Sequence, residues 1–265
     1  MNILLTGAAG GIGGQLARRL NETHEVVAVD RDTDALARLP DGIETCSIDL
    51  ADEQVVREAL SEMQIETFVS AVGGYELAAI EDCQPASFEQ HLTTNLTAVH
   101  TPIHAVLPTI RENSGRIVVV GSVVGSVSLP YHGAYSASKA GLAGYVDCLR
   151  RELAPRGVDV SLIEPGPVRT GLNERAVDSL KTFSDSAYSE QYGHFSSYSP
   201  TSTDIDTVVE RIITAIESDR PRARYRVGRR ARWLPRLQLV VPTRLFDRIV
   251  RSGLPGGLLY ELIDR

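Results

Sequence analysis

Tyr135 and Lys139, in the stretch GSVVGSVSLPYHGAYSASK over residues 121–139, are the side chains best suited to proton transfer. They stand four residues apart, so on a helix they share a face with their side chains adjacent. A phenol normally titrates near pKa ~10 and works near neutral pH only with a cation close by. The ammonium favours the phenolate, and burial of both groups decides how far the shift goes. A plainer reading makes them an ordinary half-buried aromatic and a solvated charge. Against it, Lys139 and Lys181 are the only lysines in a chain whose other cationic side chains are arginine. Where arginine is the default, a lysine suggests a need for a compact, tunable ammonium.

The elements around the pair place it. Residues 134–150 are rich in Ala, Leu and small residues without an internal Pro, which predicts a helix. Arg116–Val120 (RIVVV) is a wholly apolar, β-branched run that predicts a strand buried on both faces. Ser122 therefore falls just past a strand's carboxyl end, where open α/β sheets bind ligands. Neither Ser122 nor Ser126 lies in Gly-x-Ser-x-Gly, because Val120 and Val124 hold the required glycine position, so a nucleophile elbow is excluded. His100 and His104 are four apart but lack an HExxH pattern, and no metal site is expected.

At the other end, Asn2–Thr6 (NILLT) predicts a buried strand that breaks into GAAGGIGG over residues 7–14, followed by an amphipathic pattern. Strand, glycine turn and helix let backbone N–H groups and a helix N-terminus face a pyrophosphate. Glycines suit the turn because a Cβ would hold the backbone off the ligand. Glu25–Asp30 (EVVAVD) completes a βαβ unit that ends in an acid. Asp30 can accept hydrogen bonds from adenosine ribose hydroxyls, and its charge would repel a 2′-phosphate. It therefore argues for NAD over NADP. Arg31 is the counter-signal, since a guanidinium can receive that phosphate. A cap on the helical segment 32–39 is a structural role for Asp30 compatible with the first.

Alternation continues with strands at 43–48, 67–72, 158–163 and 225–227 and helices at 52–63, 85–113 and 204–218. Pro102 is expected to kink or interrupt the long helix. This is the pattern of a Rossmann-type doubly wound parallel sheet of about seven strands with helices on both faces, in a single domain. The composition, 43% hydrophobic and 23% charged, is that of an ordinary globular protein. A net charge of −7 gives no reason to expect nucleic-acid binding. Three scattered cysteines, no basic leader and no long apolar run lead to the expectation of a cytoplasmic protein.

Together these motifs resemble a classical short-chain dehydrogenase/reductase. The matching residues are the turn with Gly7, Gly10, Gly11, Ile12 and Gly13, then Asp30, Asp49-Leu50 and Asn95, then Ser122, Tyr135 and Lys139, and finally residues 165–170. They occur in the family's order over roughly residues 1–170. Gly7, Gly10 and Gly13 also fit the longer sugar-nucleotide branch, but the short chain and the full Asn/Ser/Tyr/Lys set favour the classical one. A departure lies at Ser70-Ala71-Val72-Gly73, where the family usually shows Asn-Asn-Ala-Gly, and it touches the stabilisation of the central strand.

The resemblance implies a hydride transfer between NAD(H) and an alcohol or ketone, with NADP less favoured. Tyr135 would be the general acid/base, Ser122 would orient the substrate oxygen, and Lys139 would bind the nicotinamide ribose and lower the tyrosine's pKa. Asn95 would hold a relay water. Pro165, Gly166, Val168 and Thr170 would bind the nicotinamide end, with Arg31, Asp49 and Leu50 on the adenosine side. A homodimer or homotetramer is implied as well. Rival readings are an NADP(H)-dependent carbonyl reductase and a non-catalytic dinucleotide-binding regulator.

Residues 1–228 read as the catalytic unit, with 171–203 as a variable, mobile substrate lid. Tyr188, Tyr192, Phe195 and Tyr198 could line an apolar pocket or only pin that lid. Residues 229–265 form an extension that alternates arginines with apolar residues and resembles tails of members acting on lipophilic alcohols and ketones. Its apolar face is expected to close the pocket or a subunit contact. The other reading rests it on a membrane surface. Pro235 and Pro242 should limit it to short helices.

Overall fold

A computed structural model describes residues 1–195 and 202–257. Its sheet holds β1 (Asn2–Thr6), β2 (Glu25–Asp30), β3 (Glu44–Ser47), β4 (Thr67–Ser70), β5 (Arg116–Val120), β6 (Asp159–Pro165) and β7 (Arg224–Val227). The order is β3-β2-β1-β4-β5-β6-β7, and every pair is parallel. Apolar β-branched runs suit strands covered on both faces, and β1 and β5 are buried along nearly their whole length. One face packs Ile3 and Leu5 against α1 (Gly11–Leu20) and α9 (Ile205–Glu217) through Leu16, Val208 and Ile212. The other packs Leu4, Phe68 and Ile117 against α3 (Glu53–Leu60), α5 (Ala98–Glu112) and α6 (Gly133–Leu153). Because the order reverses between β1 and β4, the connections leaving those two strands diverge and open a crevice at their carboxyl ends.

The remaining helices are α2 (Thr33–Leu36), α4 (Pro85–Leu92), α7 (Leu172–Ser179), α8 (Ser189–Phe195), α10 (Arg229–Val240) and α11 (Thr243–Ser252). Two proline expectations change. α5 continues through Pro102. As its fifth residue, Pro102 leaves only the Ala98 carbonyl without an N–H partner, and the irregular turn lies upstream as a π-helical segment at Thr93–Thr97. α10 likewise runs through Pro235, which with Ala231 forms its buried stripe. Packing of that stripe overrides the lost backbone bond, and only Pro242 marks a break.

The described part of the segment expected as a mobile lid, from 171 to 195, is largely helical. Ala176, Leu180, Tyr192 and Phe195 bury against Leu77 and Ala79. Tyr192 donates its hydroxyl to Asp82 and accepts from the Ala79 N–H at 2.8 Å. Ser186 donates to the same carboxylate at 2.6 Å. Tyr192 and Phe195 thus pin the segment, while Tyr198 lies outside the described residues. Leu254 from the tail packs on the same cluster.

Candidate functional site

The glycine turn is tight for reasons visible atom by atom. Gly7 has φ +75°, and a Cβ there would sit 2.6 Å from the Ala71 carbonyl carbon. A Cβ on Gly13 would lie 2.0 Å from the Gly7 oxygen. Gly10 occupies the N-cap of α1 without a side-chain cap, and no acid stands in the helix's first turn. That leaves the N–H groups of the helix's first turn without a side-chain cap and suited to an anion. A Cβ on Gly11 would meet Thr170 Cβ at 3.0 Å, so the turn and the loop after β6 face each other closely. Ile12 packs half-buried on the sheet face below. In that second loop Gly166 donates to Val227 O at 3.0 Å, and Asn173 holds the Val168 carbonyl at 3.1 Å. Pro165 is the last residue of β6.

Asp30 ends β2 with its carboxylate beside the turn. It accepts from the Ala9 N–H at 3.0 Å and the Asp32 N–H at 3.2 Å. The helix cap belongs to Asp32, which accepts from Ala35 N at 2.9 Å. Asp30 therefore braces the glycine turn and does not cap α2. Arg31 is exposed next to it. Asp49 and Leu50 stand past β3, two strands from β1, where Asp49 closes a local turn onto Ala51 N at 3.0 Å and Leu50 is buried.

The structure gathers Ser122, Tyr135, Lys139 and Asn95 at the carboxyl edge of β4 and β5. Ser122 caps a 3₁₀ turn, its oxygen accepting from Val124 N at 3.3 Å, and it hydrogen-bonds Tyr135. That turn lies directly on α6, for a Cβ on Gly125 would be 2.6 Å from the Lys139 carbonyl oxygen. Lys139 is 3% exposed; its Nζ donates to Val120 O at 3.3 Å and stands 5.9 Å from the Tyr135 ring centroid. Burial lowers the Lys139 pKa to about 8. Burial also raises that of Tyr135, and the Ser122 hydrogen bond pulls the other way. The net direction for the phenol is thus upward, opposite to what an adjacent ammonium alone suggests, because burial disfavours the phenolate more than the Ser122 hydrogen bond favours it.

Asn95 is fully buried in the π-helical turn. Its Oδ1 accepts from Gly74 N at 2.8 Å, and its Nδ2 donates to Gly74 O and Ser138 Oγ, each at 3.0 Å. Ser138 donates in turn to the Tyr135 carbonyl at 2.8 Å. Ser138 was legible only as the small residue before Lys139. The buried Ser70 hydroxyl has no partner among the described residues, which fits the departure at the end of β4.

A second pair escaped the sequence. Tyr75 lies tilted against Tyr135 with ring centroids 4.7 Å apart, and its hydroxyl lies 2.8 Å from His132 Nε2. His132 Nδ1 faces Pro130 O at 2.7 Å, so that nitrogen carries the proton and Nε2 accepts from Tyr75. Burial lowers the His132 pKa from 6.5 to about 4. Between those values the unfolded chain binds more protons, so stability falls as pH drops from 6.5 towards 4, by ~3 kcal/mol at full protonation. Urea midpoints over this range should decline, and His132→Asn should flatten the decline. An unchanged slope would remove His132 from the acid response.

This geometry has known counterparts. The family model described as short chain dehydrogenase matches residues 1–181, and the chain belongs to that family. It is 31% identical to 17-beta-hydroxysteroid dehydrogenase type 1 of Homo sapiens, over 91% of this chain and 81% of the relative. It is also 31% identical to the uncharacterized oxidoreductase YbbO of Escherichia coli K12, over 95% and 94% of the two chains. Among solved structures, a short-chain oxidoreductase from Burkholderia thailandensis superposes with TM-score 0.73 at 29% identity, covering 91% and 98%. A Burkholderia cenocepacia short chain dehydrogenase in complex with NADP gives TM-score 0.79 at 22% identity over 93% and 96%, a likeness of fold. The protein is an oxidoreductase of the short-chain family that uses a nicotinamide dinucleotide and acts on CH–OH or C=O groups.

Proposed function

We propose that the protein transfers hydride between NAD(H) and a lipophilic alcohol or ketone, with Tyr135 as general acid/base. The supporting observation is the Ser122–Tyr135–Lys139–Asn95 group at the sheet's carboxyl edge, with Asn95 and Lys139 buried and Ser122 and Tyr135 half-buried beside them. The residues fit a dinucleotide: the turn admits no Cβ at Gly7 or Gly13, and α1 offers an uncapped N-terminus. Gly7, Gly10, Gly11, Ile12 and Gly13 would hold the pyrophosphate, and Asp30 the adenosine ribose, with Arg31, Asp49 and Leu50 around it. Pro165, Gly166, Val168 and Thr170 would hold the nicotinamide end. When bound, the nicotinamide supplies or accepts the hydride.

Tyr135 Oη then exchanges a proton with the substrate oxygen, which the Ser122 hydroxyl orients. Lys139 binds ribose hydroxyls and, with a pKa near 8, can pass protons onward near neutral pH. Asn95, clamped by Gly74 and Ser138, holds the relay water. Residues 1–228 form the catalytic unit with 171–203 over the substrate side, and 229–265 extend it. The hydroxysteroid in the human relative's name and the aromatic Tyr75 and Tyr131 nearby support a lipophilic substrate. We place the protein in the cytoplasm as a homodimer or homotetramer.

A second reading, NADP(H) use, is favoured by the exposed Arg31 beside Asp30. Asp30→Asn keeps an acceptor for Ala9 N–H while removing the charge. It should shift the NADH-to-NADPH affinity ratio about tenfold towards NADPH, or ~1.4 kcal/mol, and Asp30→Ala should weaken NADH binding more than NADPH binding. An unchanged ratio in both variants would refute this role of Asp30.

A further inference from the structure

The extension carries a surface that the oxidoreductase site does not use. From residue 229 to 246 the chain holds five arginines and no acid, although its overall charge is −7. Eight large hydrophobic residues are exposed among the described residues, and four of them fall within positions 233–245. Trp233 is 66% exposed, Leu239 85% and Val240 78%, and Leu245 follows at the start of α11. At 100° per residue, Trp233, Arg229, Arg236 and Val240 share one side of α10, opposite the buried Ala231 and Pro235. The Arg236 guanidinium lies 5.7 Å from the Trp233 ring centroid, so cation and aromatic present themselves together.

Arginines interleaved with Trp and Val on one helix side, with the exposed Leu239 on its flank and Leu245 beyond, are the composition of a helix lying in a lipid headgroup layer. No helix among the described residues is long and apolar enough to cross a membrane, so contact here is with a surface. A two-fold contact between copies through the same patch would press arginines against arginines. We infer that α10 and the start of α11 dock the protein on anionic phospholipid bilayers. The side of α10 that faces away from the docked residues adjoins the reacting group: Ala231 packs with Val123 and Val124, the turn capped by Ser122, and Tyr135 packs on the same cluster, so one helix separates the lipid from the site. A lipophilic substrate dissolved in the bilayer would then reach the site beside its reservoir. That corollary rests on the proposed function, whereas the docking does not.

Cosedimentation of the full chain with phosphatidylglycerol–phosphatidylcholine vesicles, against pure phosphatidylcholine, tests docking without any turnover. Binding should require the anionic lipid and weaken as salt rises. Arg229→Gln and Arg236→Gln should each lower partitioning about fivefold, and Trp233→Ser with Leu239→Ser should lower it further. These side chains are exposed, and turnover of a water-soluble ketone should not change in the variants. Absence of binding to anionic vesicles, or equal binding by the variants, would overturn the inference. Loss of self-association in the variants without any vesicle binding would overturn it too and assign the patch to a second copy.

Discussion

Tyr135→Phe should reduce turnover by roughly 10²–10⁴-fold while NADH still binds. The substitution removes one oxygen and keeps the ring, so its contact with Tyr75 at 4.7 Å persists. Ser122, which loses that partner, still accepts from Val124 N. The fold should therefore survive, and a melting temperature close to the parent's would show it. In the proposed chemistry the phenolic oxygen is the group that exchanges a proton with the substrate, and neither Ser122 nor the buried Lys139 can replace it at that position. Steady-state kinetics with a reducible ketone and fluorescence titration of NADH on the same preparation separate the two effects. Turnover within a fewfold of the parent would remove Tyr135 from the acid/base role.

Gly13→Ala is expected to have the next largest effect. The new Cβ would sit 2.0 Å from the Gly7 oxygen and 3.0 Å from Ala8 Cα, all backbone or nearly so, with no flexible side chain to give way. Relief requires α1 to move away from β1, which displaces the helix N-terminus from the place an anion would occupy. Overpacking of this kind costs ~1–3 kcal/mol, which lowers the melting temperature by about 2–4 °C per kcal/mol in a chain of this size. Losing two charge-assisted N–H contacts at ~1.5 kcal/mol each would weaken NADH binding roughly a hundredfold. Binding unchanged in a correctly folded variant would show that the dinucleotide is held elsewhere.

What could be read in the sequence had local causes. Asn2–Thr6, Glu25–Asp30 and Arg116–Val120 are strands at the expected bounds because each is an unbroken apolar run ended by Gly or Asp. Tyr135 and Lys139 meet because spacing on one helix dictates it. Residues that escaped depend on distant partners. Tyr75 and His132 are 57 positions apart and meet only through packing around α6. The polar stretch after Gly171 reads as open lid, yet Asp82, 110 positions before Tyr192, fastens it. The upward direction of the Tyr135 pKa needed its enclosure, which residue types alone did not reveal. The extension does fall into short helices broken at Pro242, but Pro102 and Pro235 interrupt nothing, since proline's cost depends on which carbonyl loses its donor and on what the helix buries.

The most direct test of the proposed chemistry and its cofactor is a fluorescence titration of the purified protein with NADH and with NADPH. Tight NADH binding, with NADPH at least about tenfold weaker, is the predicted result. It would tie the glycine turn and the Asp30 carboxylate to one ligand. Stronger NADPH binding would contradict the assignment to Asp30 and give the site to Arg31, and binding of neither would contradict the proposed hydride transfer itself.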